Sequence, residues 1–220
     1  LDRVTSQWQQ NYETTNQISW RRATLRKYGE KIKIMNDIMD MDDYAAVRKE
    51  RRSNITKMKT DRRVALGPDA TFYFESYDTM WHQIHEMLYI ERGGEQQIAD
   101  ELAAYNPLIP KGRELIATLM FEIDEPERRA SVLAGLGGVE ETACLSLGGK
   151  VIFAEAEADV DRTSADGKAS SVQFLHFPFS DDDVALFREP LVKVVLAIEH
   201  EKYSHMTILS EATRAVLQSD

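Results

Sequence analysis

The run His82-Gln83-Ile84-His85-Glu86 gathers the side chains best suited to chemistry in this 220-residue sequence. His82 and Glu86 stand one helical turn apart, and His85 follows His82 at i+3. On a helix the three would project on neighbouring faces. Two imidazoles and a carboxylate suit zinc, iron or manganese. The order is not HExxH, so no zincin chemistry follows. A catalytic zinc would draw its remaining ligand from elsewhere, such as His176 or His200. The alternative is a partly buried polar face on an otherwise apolar helix, with no cofactor at all. The expectation adopted is no cofactor, with a transition metal at His82, His85 and Glu86 as the alternative.

A second constellation spreads around the first: Glu75, Gln83, Glu86, Glu91 and Arg92, with Tyr105 and Asn106 near a turn that faces them. Paired carboxylates do acid–base work when their pKa values are pushed apart. Carboxylates paired with arginine more often fix a fold or an interface, which is the reading favoured here. The group also offers a polar face for a small ligand. His200, Tyr203 and His205 cluster after the last apolar run and suit an anion or a metal. Cys144 stands in an apolar run without a Cys or His partner and reads as an inert core thiol. The Gly135–Gly138 run lacks the Lys-Ser/Thr of a phosphate loop, and no serine-nucleophile motif occurs. Without a complete catalytic set, the reading leans away from an enzyme.

The elements that must hold these residues follow from pattern. Ile34, Ile38 and Met41 recur at helical spacing, and Asp40, Asp42 and Asp43 suit the start of a helix over Tyr44–Met58. Arg62–Pro68 reads as a closing turn. Thr71–Glu75 alternates as a strand. Asp78 or Thr79 would cap a helix Met80–Arg92, ended by Gly93-Gly94, and Gln96–Ala104 continues as a further helix that stops before Pro107. Leu115–Ile123 reads as a strand and Glu125–Leu136 as a short helix. A hairpin joins Cys144–Leu147 to Val151–Ala156 through Gly148-Gly149. Ser171–Phe179 and Val192–Ile198 read as strands, Ser180 caps a short helix, and His205–Leu217 reads as a final helix. Helices grouped early and strands joined by hairpins predict an α+β fold with a mainly antiparallel sheet.

Composition sets the outer bounds. The hydrophobic content of 43% supports one core. No apolar run approaches the roughly 20 residues of a membrane-spanning helix. A single cysteine rules out a disulfide framework. The net charge of −10 is unevenly placed: residues 1–63 carry 15 Lys+Arg against 9 Asp+Glu, whereas residues 64–220 carry 12 against 28. The acidic body disfavours nucleic acid as its partner, while the basic part could meet RNA, an anionic lipid surface, an acidic protein or the chain's own body. Residues 1–33 are polar and poor in aliphatics, so we expect an extended basic arm on a single α+β domain over residues 34–220. In that arm Trp8, Tyr12, Trp20, Arg21 and Arg22 are the expected contacts to a partner. A first residue of Leu rather than Met suggests a processed or truncated start.

Several stretches resemble one bacterial family, domain-of-unknown-function family 3501, in its order. They are Arg62–Pro68, Phe72–Thr79, Gln83–Arg92, Glu101–Gly112, Ala117–Ile123, Glu127–Arg129, Ser170–Phe177 and Ala197–Tyr203, spanning roughly residues 35–205. The resemblance implies no established reaction. Its members tend to be encoded near rubrerythrin-like and iron–sulfur proteins, which implies a redox setting. Relatives more often carry an aromatic residue and Gln where this chain has His82 and His85, so a histidine site there is not a shared activity. From the basic arm, the non-Met start and the missing catalytic set, we expect a non-catalytic accessory or scaffold subunit of a larger assembly. A mitochondrial respiratory complex or mitoribosome would suit it, on the matrix side if eukaryotic; a bacterial protein would be cytoplasmic. The alternative is a redox-associated metal-binding protein or enzyme working with rubrerythrin-like or iron–sulfur partners.

Overall fold

Residues 37–157 and 168–220 are described by the structure, a computed structural model. Arg63–Leu66 and Ala70–Phe74 alternate buried and exposed side chains, or bury nearly all of them, and pair as an antiparallel hairpin, β1 and β2. The first of these strands was expected to be a turn; its four residues are too few to register as a period until Thr71–Ala65 pairing is seen. β2 pairs with β3 (Glu114–Phe121), β3 with β7 (Val172–Pro178), and β7 with the short β6 (Glu155–Ala156). A second sheet orders β5 (Lys150–Phe153), β4 (Ala143–Leu147), β8 (Val194–His200) and β9 (Tyr203–Ile208). Every pairing is antiparallel. The fold is therefore α+β.

The two sheets share one core. Phe72, Phe74, Leu119 and Phe177 of the larger sheet belong to the same buried cluster as Leu145, Leu147, Leu196 and Ile198 of the smaller. β5 and β6 are one stretch of chain interrupted at Ala154, so the polypeptide passes from the edge of one sheet directly to the edge of the other. The opposite edges are joined by Tyr203 of β9. Its buried hydroxyl donates to Leu66 O at 2.7 Å and accepts from Asp69 N–H and Ala70 N–H in the β1–β2 turn.

Among the described residues, three longer helices precede β3: α1 (Met41–Thr60), α2 (Tyr77–Glu91) and α3 (Gly94–Tyr105). Three shorter ones follow: α4 (Pro126–Ala134), α5 (Asp181–Arg188) and α6 (Glu211–Leu217). The last begins later than the pattern suggested, because His205 to Ile208 belong to the edge strand β9. α2 starts in a capping box built by Ser76 and Thr79, not by Asp78. It packs on the outer face of the larger sheet, where Met80 and Leu108 meet Ile116 and Phe174. Beneath its first turn the buried Glu75 carboxylate accepts from Thr79 Oγ1 at 2.6 Å and Thr118 Oγ1 at 2.7 Å.

α1 is the least buried of the three longer helices for its length. Of its 20 residues only Tyr44 is buried. A helix polar nearly all round gains little from burial and depends on specific polar contacts. Those contacts are made with α2, and they form the site below.

Candidate functional site

α1 and α2 meet through a network centred on Glu86. Arg48 Nε and Nη2 donate to the two oxygens of Glu86, each at 2.8 Å, a bidentate fork. The Tyr44 hydroxyl donates to Glu86 Oε1 at 2.8 Å. With that proton committed, His82 Nδ1, 3.2 Å from the Tyr44 oxygen, is the donor in their contact. Arg48, then Tyr44, hold the Glu86 carboxyl down at about 2, against the opposing pull of burial. Burial, then the hydrogen bond to Glu86, pushes the Tyr44 phenol well above its ordinary value. Burial depresses His82, reinforced by the positive field of Lys59, Arg52 and Arg48 and opposed by Glu86. At neutral pH the network is an anion, a guanidinium, a phenol and a neutral imidazole. Each has the charge state its partners require, and none is poised to exchange a proton.

His85 occupies a different place from the one expected. Its side chain is 0% exposed. Nδ1 donates to Trp81 O at 2.7 Å and Nε2 accepts from Met39 N–H at 3.0 Å. The ring stacks on Trp81 with centroids 3.6 Å apart. Burial pushes its pKa down to about 4. Both nitrogens are occupied by the backbone, so His85 has no lone pair to offer a metal alongside His82 and Glu86. It fastens the segment before α1, together with Trp81 Nε1, which donates to Asp37 O at 3.0 Å, and Tyr77, which donates to Asp37 Oδ2 at 2.7 Å. His176 is engaged elsewhere, between Glu114 and Glu157 at 3.1 and 2.8 Å. His200 Nδ1 accepts from Lys202 N–H in the β8–β9 turn. Among the described residues no three His, Cys, Asp or Glu side chains are placed to hold a metal ion.

The second constellation also separates. Glu75 and Glu86 lie eleven residues apart, about 16 Å along a helical path, and Glu75 is buried against the sheet. Gln83 is half-buried on α2, beside His82 in sequence. Glu91 accepts from Gln97 at the α2–α3 junction. Arg92 caps α2 in the left-handed conformation and lies over the Tyr89 ring. Tyr105 packs against the apolar cluster under α3, and Asn106 begins a single 3₁₀ turn. Near β9, His205 lies edge-on to Tyr203, whose hydroxyl is taken up by the β1–β2 turn. Cys144 is buried, and burial pushes its thiol up. Trp8, Tyr12, Trp20, Arg21 and Arg22 lie outside the described residues.

What the geometry does assemble is a basic cleft. Ala45, Arg48, Lys49 and Arg52, spaced three and four apart along α1, line an open cleft of about 320 Å³ with Tyr89 of α2. The Arg48 guanidinium lies 4.6 Å from the Tyr89 ring centroid and Arg92 lies 5.0 Å from it. Lys49 and Arg52 are exposed and form no ion pair among the described residues. By its charge alone the Lys49-Glu50-Arg51-Arg52 run is indistinguishable from a solvated helix face. Tyr44 and Arg48 were not picked out, although a lone tyrosine with an arginine at i+4 on a polar helix is the pattern that gives the network away.

The model of a family described as "Protein of unknown function (DUF3501)" matches residues 32–220. A crystal structure of a novel protein of unknown function from Burkholderia pseudomallei is 31% identical, with a TM-score of 0.77, covering 83% of this chain and 95% of that one. No curated protein matches the chain. These findings overturn the expectation of an accessory or scaffold subunit in a mitochondrial respiratory complex or mitoribosome. The solved relative is bacterial and neither description names an assembly, a redox partner or a reaction. The basic arm and the non-Met start had carried that expectation, and neither is a property of the fold. Among the described residues no helix is long and apolar enough to cross a membrane. With residues 32–220 matched by its model, the chain belongs to the DUF3501 family.

Proposed function

We propose that this protein binds a small anionic ligand, carrying phosphate or clustered carboxylates, in the cleft between α1 and α2. The observation that carries the reading is the convergence of Arg48, Lys49 and Arg52 beside the Tyr89 ring on an otherwise acidic body. Arg48 is oriented in advance by its fork to Glu86, so its remaining donor edge is fixed before a ligand arrives. Lys49 and Arg52 supply charge that no ion pair among the described residues neutralises. Tyr89 holds the Arg48 and Arg92 guanidinium groups against its ring, which keeps positive charge beside the cleft. A reducing cytoplasm suits a chain whose one thiol is buried and unpaired.

Isothermal titration of the full chain with inorganic pyrophosphate, citrate and a nucleoside triphosphate tests the reading. We expect saturable binding of at least one, weakened tenfold or more by Lys49→Glu or Arg52→Glu, with the fold unchanged by circular dichroism. Absence of binding by all three, or binding indifferent to both substitutions, overturns it.

A further inference from the structure

The smaller sheet has a second, unexplained surface. Its inner side faces the core; its outer side is apolar, exposed along the two edge strands and closed over Cys144 and Ala197, which are 2% and 5% exposed. Along the two edge strands Val151 is 46% exposed, Phe153 53%, Met206 72% and Ile208 59%. Between them, on the central strands, the outward positions are small: Cys144 and Ser146 on β4, Val195 and Ala197 on β8. The register aligns them in two rows, Phe153-Cys144-Ala197-Met206 and Val151-Ser146-Val195-Ile208. A sheet face patterned this way carries no charge in its middle, as the centre of a protein interface does.

The charges lie at its ends and are of opposite sign. Alternation along β8 places Val195, Ala197 and Glu199 on the outer side, since Val194, Leu196 and Ile198 belong to the core, and Lys193, whose carbonyl still accepts from Gly148 N–H, continues it one residue before the strand. Lys193 and Glu199 are both exposed and neither forms an ion pair among the described residues. The pattern is complementary to itself when reversed. A two-fold axis crossing β8 at the level of Leu196 sets Lys193 of one copy over Glu199 of the other, twice, with Val195 over Ala197 between them.

We propose that the outer face of the β5-β4-β8-β9 sheet is a homodimer interface, with the two sheets stacked face to face and their β8 strands antiparallel. The four exposed side chains amount to on the order of 400 Å² of apolar surface per copy, counting ~150–200 Å² for each large side chain. That is about half of the ~800 Å² each partner buries in a standard interface, the remainder coming from the polar rim. Paired sheets at the usual ~10 Å spacing bring both rows into contact. The same axis sets the edge residues over one another, Phe153 of one copy over Val151 of the other and Met206 over Ile208.

Sedimentation of the full chain over a wide concentration range tests the proposal. We expect a reversible dimer, with its dissociation constant raised tenfold or more by Phe153→Asp or Met206→Asp. These positions are exposed, so the variants should keep the wild-type circular dichroism and thermal midpoint. Lys193→Glu alone should weaken the dimer, and Lys193→Glu combined with Glu199→Lys should restore it. A chain that is monomeric throughout, including one whose face is instead covered by another protein, overturns the proposal. So does a dimer that tolerates Phe153→Asp, or a double charge swap that is no tighter than the single one.

Discussion

The Tyr203 hydroxyl stands 2.7 Å from the Leu66 carbonyl oxygen, joining residues 137 positions apart in the chain. The same oxygen accepts from Asp69 N–H at 3.0 Å and Ala70 N–H at 2.9 Å. One phenol thus satisfies three backbone groups of a turn that would otherwise be buried unpaired. Tyr203→Phe removes all three bonds at once and should destabilise the fold by about 3 kcal/mol or more, at 1–3 kcal/mol per stranded group. Urea unfolding should show a lower midpoint with an unchanged slope. Gly67→Ala should act on the same turn. Its Cβ would lie 2.6 Å from the His205 ring at a backbone φ of +67°, so both the space and the conformation oppose it.

Acid should loosen α1 through His85. Its pKa lies at about 4 in the fold against 6.5 for a free imidazole. Between those values the unfolded chain binds the proton and the folded chain does not. The stability from the neutral ring is therefore complete above pH 6.5 and is lost as pH falls through about 4. The full effect is about 3 kcal/mol, at 1.36 kcal/mol per pKa unit. Stability measured across this window should fall on acidification, and His85→Gln should flatten that part of the profile. An unchanged slope would place the proton elsewhere.

His176 should give the opposite sign. Glu114, ahead of the opposing effect of burial, and then Glu157 raise its pKa above 6.5. Its contribution is present below pH 6.5 and disappears as pH rises through the raised value. His176→Gln should remove a decline on the alkaline side without altering the acid limb.

Buried Glu75 depends on two hydroxyls, Thr79 and Thr118. Thr118→Val keeps the shape of the side chain but leaves one carboxylate oxygen without its donor. We expect a loss of about 1–3 kcal/mol, larger than for Thr118→Ser. Equal losses for the two variants would mean that packing, not the hydrogen bond, sets the value.

The Tyr44 hydroxyl donates to an ionised carboxylate, a bond of the stronger kind. Tyr44→Phe should cost about 1.5–3 kcal/mol and should release His82 Nδ1 from its contact, which a histidine chemical-shift titration would register as a changed pKa.

These expectations rest on contacts of two degrees of legibility in the sequence. The α+β class and most strands were readable because Phe72 and Phe74, or Val172 and Phe174, repeat at the period of a strand. β1 and β9 were not. The first is four residues long, and the second exposes Met206 and Ile208 on its outer side, so neither shows the usual polar-out alternation. The helix carrying His82, His85 and Glu86 was legible, but not the role of each. His85 and Glu86 differ by one position and by 100° of rotation, enough to place one in the core and the other under α1. Which way the helix is turned depends on α1, and Tyr44 and Arg48 contact Glu86 from about forty residues away. Local spacing carries no information about such a partner.

The weak hydrophobic tether of α1 has a kinetic consequence. With Tyr44 the single buried residue of its twenty, α1 is held mainly by polar contacts with α2, and its amides should exchange with solvent by sub-global opening before those of β3 or β8. The cleft is divided between α1 and α2, so each opening also dismantles it. Occupancy and helix docking then draw on one equilibrium: whatever fills the cleft slows exchange in Met41–Thr60, and whatever releases the helix ejects the occupant.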